Sequence, residues 1–225
     1  MDSHFERELG SLREKILTMG GHAEAAANRS VQSLVQRNSD LALQVKQSDE
    51  IIDKLEVDIE DCVVQQLTKA PLATDLRLVT AAIKISHDLE RIGDEATQIA
   101  KRAMELCREP AIEIRFNLTQ MTGLSFDMLK AALDSFANRD PAAARAVIPR
   151  DKEVDALNKT FHDLLARQMV EHPDTIKRCL HWMVVSKSIE RIADHATNIA
   201  ENVVYLYEGR DIRHTGIKSG GAKGD

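Results

Sequence analysis

Two pairs of acidic side chains, each pair four residues apart, are the clearest candidates for chemistry in this sequence. Glu90 and Asp94 form one pair, and Glu190 and Asp194 form the other. Residues four apart in a helix lie one turn from each other on the same face, where two like charges repel by about 0.2–0.5 kcal/mol. Because this repulsion is present in both pairs, we infer that the paired carboxylates have a function. Carboxylate oxygens are ligands that suit hard cations.

The two pairs lie in segments that repeat. Residues 88–100 read DLERIGDEATQIA and residues 188–200 read SIERIADHATNIA, with eight of thirteen positions identical. This similarity predicts a tandem duplication. In both segments the apolar residues recur at alternating spacings of three and four, which is typical of one face of a helix. The acidic pairs lie off that apolar face, where polar side chains usually contact water.

A second acidic element is also repeated. SDEIIDKL at 48–55 matches RDKEVDAL at 150–157, which aligns Asp49 and Asp53 with Asp151 and Asp155. The offset is 102 here and 100 in the longer motif, so we expect a two-residue insertion after the turn at 138–141. If the middle and third helices of each half are antiparallel, four carboxylates converge in each half. The candidate metal ligands are therefore Asp49, Asp53, Glu90, Asp94, Asp151, Asp155, Glu190 and Asp194.

Carboxylate clusters of this kind favour Mg²⁺, Mn²⁺, Ca²⁺ or Fe³⁺. His87 and His195 lie beside the acidic pairs but do not occupy matching positions in the two halves. We therefore expect each to be a surface histidine and not a ligand.

Composition narrows the function classes. The chain has 225 residues, 43% hydrophobic and 29% charged, with only 4% aromatic residues. This composition, with many aliphatic and few aromatic residues, predicts packed helices. The formal charge of −6, without a basic stripe interleaved with aromatics, argues against nucleic acid. No apolar run approaches the ~20 residues of a membrane span. The N-terminus does not resemble a signal peptide, and three isolated cysteines indicate a reducing compartment.

The fold class we predict is all-α, with two tandem three-helix bundles. The helices are expected at about 4–37, 41–69, 71–107, 112–137, 141–148, 150–171 and 174–208. Gly20-Gly21 is a predicted weak point of the first helix. Asp40 and Asp140 are predicted N-caps, the latter followed by Pro141 at the first helical position. The domains are predicted as 1–108 and 111–209, followed by a disordered tail at 210–225.

The run PLATDLRLVTAAIKISHDLERIGDEATQIA, its partner IERIADHATNIAENVVYLYEG and the RDKEVDAL element together resemble the PhoU family of bacterial phosphate-signalling proteins. The resemblance covers about residues 4–209. It implies a cytoplasmic, often dimeric protein that represses the phosphate-starvation response. The implied partners are the ATPase of the phosphate ABC transporter and a sensor histidine kinase, with the membrane reached only through them. It also implies multinuclear metal binding by the eight carboxylates, with Mn, Mg or Fe as the ions.

Two other interpretations remain open at this point. A helical bundle with paired carboxylates can be a di-metal enzyme, but such sites use Glu-x-x-His inside the core. No glutamate here has histidine three residues later, so we expect a protein that is not an enzyme. A purely structural bundle with solvated acids fits every helix but gives no reason for both pairs to recur. A phosphate-binding loop of the G-x-x-x-x-G-K type is missing from the sequence.

Overall fold

A computed structural model describes residues 3–67, 73–112 and 118–212, and all of its long elements are helices. The helices are α1 (Ser3–Val35), α2 (Ser39–Leu67), α3 (Ala73–Cys107), α4 (Leu118–Asn138), α5 (Pro141–Val147), α6 (Asp151–Glu171) and α7 (Ile176–Glu208). Single 3-10 turns precede α6 and α7. The predicted all-α fold class is confirmed, and residue 112, the predicted start of the fourth helix, is not helical.

The repeated segments lie in α3 and α7, and these two helices form the centre of the molecule. In the first half α1, α2 and α3 pack against one another; in the second half α4, α5 and α6 pack against α7. The largest helix contact joins α3 to α7 and so joins the halves. Buried apolar side chains from both halves form one continuous core. The two bundles are therefore fused through their motif helices and do not pack as separate bodies.

The turns before α2 and α5 have the same conformation. Arg37 and Arg139 both have positive φ, at 51° and 57°. The next residue caps the following helix: Asn38 Oδ1 accepts from the amides of Asp40 and Leu41, 3.0 Å away, and Asp140 caps α5 in the same way. The prediction of Asp40 as N-cap is thus wrong, whereas Asp140 is confirmed.

This match corrects the repeat alignment. Asn38 corresponds to Asp140 at an offset of 102, the same offset that relates Asp49 to Asp151. The offset is therefore already 102 at the turn, so the predicted insertion after the turn is wrong, and the offset changes to 100 between the acidic pair of the middle helix and the repeated motif. Sequence comparison missed this because Asn and Asp are interchangeable as caps, and the string N-x-D at both turns suggested an offset of 100.

Gly20-Gly21 does not interrupt α1, which continues from Ser3 to Val35. A Cβ atom at Gly20 would lie 2.7 Å from Cδ2 of Leu133, while the space beside Gly21 is open. Gly20 thus permits close packing of α1 on α4, which explains one glycine of the pair by tertiary contact.

Residues 1–2, 68–72, 113–117 and 213–225 lie outside the described part of the chain. Most of the predicted disordered tail and the start predicted for the third helix at Pro71 fall there. The predicted domain limits at 108 and 111 stay predictions. Within the described helices we find no segment with the length and hydropathy of a membrane span.

Candidate functional site

The first acidic cluster lies where α2 approaches α3 in antiparallel orientation. Gly93 makes this approach possible, since a Cβ there would lie 2.9 Å from Ile52 Cδ1 and 3.2 Å from Asp49 Oδ1. Asp49 interacts with the charges of Asp53 and Asp94, and Glu90 interacts with that of Asp94. The four predicted ligands of the first half therefore belong to one electrostatic cluster.

Burial and mutual repulsion make these carboxyl groups harder to ionise. Burial is the main cause that raises the pKa of Asp49, and the neighbouring Asp53 and Asp94 add to it. Burial also raises the pKa of Glu90, with a further contribution from Asp94. Ionised carboxylates that are partly buried and repel one another are stabilised by a bound cation, whose charge offsets both the cost of burial and the repulsion.

The second acidic cluster lies between α6 and α7 and is more compact. Carboxylate oxygens of Asp151, Asp155 and Asp194 all lie within 4.8 Å of one another. Asp151 Oδ1 is buried without a hydrogen-bond partner. Glu190 completes the set and is only 7% exposed, which differs from the solvated face expected from the helical period. This donor set fits a hard cation, because the oxygens of three aspartates converge and Asp151 Oδ1 has no donor within the protein, although Lys187 forms an ion pair with Glu190.

Electrostatics distinguish the two clusters. Burial raises the pKa of Asp151 to about 6, and repulsion from Asp194, Asp155, Glu190 and Glu201 adds to the effect. Burial is also the first cause of the raised pKa values of Glu190 and Asp194. The position equivalent to Glu201 in the first half is Lys101, which instead lowers the pKa of Asp49. Asp151 thus lies near a carboxylate at the position where Asp49 lies near an ammonium group.

A cleft of about 700 Å³ lies between α3 and α7 and opens onto the second cluster, whose Asp151 and Asp194 line it. Arg91 and Arg191, which are equivalent in the two repeats, also line this cleft. Arg191 Nη1 donates to Glu95 Oε1 over 3.0 Å and so links the two halves. The repeated Arg of the motif therefore faces the junction between the repeats.

His195 is not the surface histidine that we predicted. Its side chain is 20% exposed, and Nδ1 lies 2.9 Å from Asp88 Oδ1 on the other motif helix. Asn198 donates to the same oxygen over 3.0 Å. The sequence could not indicate this pairing, because Asp88 and His195 are 107 residues apart and the contact exists only when α3 and α7 are antiparallel.

His87 is on the surface, as predicted, with a side chain that is 58% exposed. It nevertheless lies in the second place among the described residues where potential ligand atoms converge, with Glu56 and Glu90. Sequence reasoning missed Glu56 as a site residue, although the acidic residues of α2 recur on one face at Asp49, Asp53 and Glu56.

Stability should depend on the ionisation of Asp151. Its pKa is about 6 in the folded protein and 3.8 ordinarily, so ionised Asp151 destabilises the fold. The contribution of protonated Asp151 to the free energy of unfolding is therefore fully present below pH 3.8 and is lost as the pH rises through 6. The difference between the two pKa values of Asp151 corresponds to about 3 kcal/mol in the free energy of unfolding. Solvent screening at this partly buried site reduces that contribution to about 1–2 kcal/mol.

We therefore expect Asp151→Asn to raise the free energy of unfolding by about 1–2 kcal/mol at pH 8 and to leave it unchanged near pH 4. Urea denaturation with a chelator present measures this. Glu153→Gln on the exposed side of α6 is the matched control and should have no such pH-dependent effect. Equal stability of Asp151→Asn and the unmodified protein at pH 8 would contradict the expected linkage.

Comparison with known proteins matches both halves of the chain. A profile of the PhoU domain matches residues 16–103 and 118–203. The chain is 41% identical over 224 residues to the Pseudomonas putida phosphate-specific transport system accessory protein PhoU homolog, covering 97% of this chain and 86% of that protein. It is 38% identical over 216 residues to the Aquifex aeolicus homolog of the same name, covering 96% and 98% of the two chains.

Solved structures agree with the sequence relatives. The crystal structure of PhoU from Pseudomonas aeruginosa superposes with a TM-score of 0.87 at 40% identity, covering 92% of this chain and 100% of that one. The phosphate transport system regulatory protein PhoU from Streptococcus pneumoniae superposes with a TM-score of 0.85 at 27% identity, covering 92% and 98%. Sequence and fold thus agree across both repeats, and the chain belongs to the PhoU family.

Proposed function

We propose that this protein is an accessory protein of a phosphate-specific transport system that represses phosphate-starvation signalling when phosphate is plentiful. The observation that carries the proposal is the 41% identity to a phosphate-specific transport accessory protein across 97% of this chain. The protein acts by binding and not by catalysis, since the acidic clusters lie at helix junctions beside the core and not in an enclosed cavity within it.

The proposed partners are the transporter's ATPase on the cytoplasmic side and a sensor histidine kinase. An all-helical body whose two halves carry similar acidic edges offers two related surfaces, so one half can contact each partner. Metal ions in the clusters would connect these acidic edges to carboxylates or phosphates of a partner. Such contacts are reversible, because loss of the ion restores repulsion between the acidic surfaces.

A strain lacking this protein tests the regulatory role. Grown in high phosphate, it should express phosphate-starvation genes constitutively, and the intact chain should restore repression. If those genes stay repressed without the protein, and pull-downs recover neither transporter nor kinase, the adaptor function is wrong even though the family assignment stands.

We also propose that both acidic clusters bind Mn²⁺, Mg²⁺ or Fe³⁺. The supporting observations are the unpartnered oxygen of Asp151 and the raised pKa values in both clusters. Glu190→Ala with Asp194→Ala should remove roughly half of the bound metal, because it destroys one of two clusters. Elemental analysis after mild Mn²⁺ or Fe³⁺ loading measures this. Failure of the unmodified protein to retain any metal would contradict the proposal.

We also propose that the protein self-associates as a homodimer. Large apolar side chains are exposed on α2, with Val57 at 56% and Val64 at 64%, and burying them would favour a homodimer. Light scattering should give twice the chain mass of 25.1 kDa. A monomer mass at micromolar concentration would remove the dimer and leave the regulatory role untouched.

A further inference from the structure

We propose that Glu56, His87 and Glu90 form a mixed nitrogen and oxygen metal site, specific to the first repeat, that takes a transition-metal ion such as Zn²⁺. This site goes beyond the function proposed above, since its ligands include an imidazole and the eight carboxylates do not. Imidazole is a good ligand for Zn²⁺ and a poor one for Mg²⁺ or Ca²⁺. The site shares only Glu90 with the first acidic cluster.

The three side chains are brought together by helix geometry. His87 and Glu90 are three residues apart on α3 and so lie on one face. Glu56 reaches them from α2, which runs antiparallel. Helix bundles that bind di-metal centres use a Glu-x-x-His pair at this spacing, and His87 and Glu90 provide the same pair in reverse order.

The distances between the ligand atoms are compatible with a bound ion. One ligand atom from each residue lies within 4.8 Å of the other two, and His87 Nδ1 is 3.4 Å from Glu56 Oε1. Metal–ligand bonds of about 2.0–2.2 Å in a tetrahedral Zn²⁺ site place ligand atoms roughly 3.3–3.6 Å apart. A hydrogen bond between imidazole and carboxylate is shorter, at about 2.7–3.2 Å.

The second repeat provides an internal comparison. Its equivalents of Glu56, His87 and Glu90 are Asn158, Lys187 and Glu190. The ammonium of Lys187 forms an ion pair with Glu190. The second repeat therefore has one carboxylate fewer and a cation built into the chain. The first repeat has two carboxylates and an imidazole that is neutral when it binds a metal.

Arg91 does not replace that cation. Its Nε lies 3.3 Å from Glu90 Oε2, a longer ion pair than that of Lys187 with Glu190, and the Arg91 side chain is about half exposed. The same guanidinium donates to Asp94 through Nη1 over 3.2 Å. Glu90 thus keeps its capacity to bind an ion, and the exposed imidazole of His87 leaves the site open to solvent.

Calorimetric titration of the metal-stripped full-length protein with Zn²⁺, in excess Mg²⁺, tests the site. We expect one saturable Zn²⁺ site per chain. His87→Lys should abolish it while preserving the fold, because lysine occupies this position in the second repeat. His22→Lys, at an exposed position of α1, is the matched control and should bind Zn²⁺ like the unmodified chain. His87→Gln provides a second loss variant should His87→Lys fail to fold.

The converse variant, Asn158→Glu with Lys187→His, should gain a second Zn²⁺ site by recreating the ligand set in the other repeat. NMR should show the His87 ring protons shifting on addition of one equivalent of Zn²⁺.

Unchanged Zn²⁺ binding by both His87 variants would overturn the proposal. Loss of Zn²⁺ binding in Glu190→Gln with Asp194→Asn, but not in the His87 variants, would also overturn it by placing the ion in the second cluster. Mn²⁺ retention by the acidic clusters is measured separately, so failure of this site and failure of the clusters are distinguishable.

Discussion

The antiparallel packing of α3 on α7 is the constraint on which the rest of the structure depends. Small buried side chains, among them Ala96, Ala100, Ala196 and Ala200, line the motif helices, and small residues allow helix backbones to approach closely. Each motif helix must contact its own repeat on one side and the other repeat on a second side. The acidic pairs are left on the remaining edge, where α2 or α6 can reach them. Repetition of the motif therefore produces two acidic clusters at related positions around one core.

Polar contacts specify how the two motif helices meet. Asp88 accepts from Asn198 and pairs with His195, and Arg191 pairs with Glu95. Asp88 and Glu95 are each 8% exposed, so leaving either carboxylate without its partner would carry a large desolvation cost. These contacts involve positions where the two motif copies differ, since Asp88 corresponds to Ser188 and Glu95 to His195. The polar contacts between the two motif helices are thus asymmetric, although the motif itself is repeated.

The same divergence made the acidic clusters different. Lys101 in the first repeat is replaced by Glu201 in the second, and His87 by Lys187. The second cluster holds more carboxylates near Asp151, whereas the first places an imidazole beside two glutamates. The apolar positions changed much less: Ile85, Leu89 and Ile92 correspond to Val185, Ile189 and Ile192, all fully buried. Core positions resist change because substitutions there create cavities or overpacking, while charges at a helix edge can change with little effect on packing.

Much of the molecule follows from the sequence by itself. The helical period, the repeat and turn residues such as Asp140-Pro141 predict the helices and their order, because these features depend on neighbours within a few residues. The two acidic pairs per repeat are visible for the same reason. The tertiary structure alone decided which residues meet across helices: the pairing of Asp88 with His195, the contact of Gly20 with Leu133, and the convergence of Glu56 on His87. Each joins side chains on different helices, and their distances depend on helix rotation and axial position, which a one-dimensional pattern does not contain.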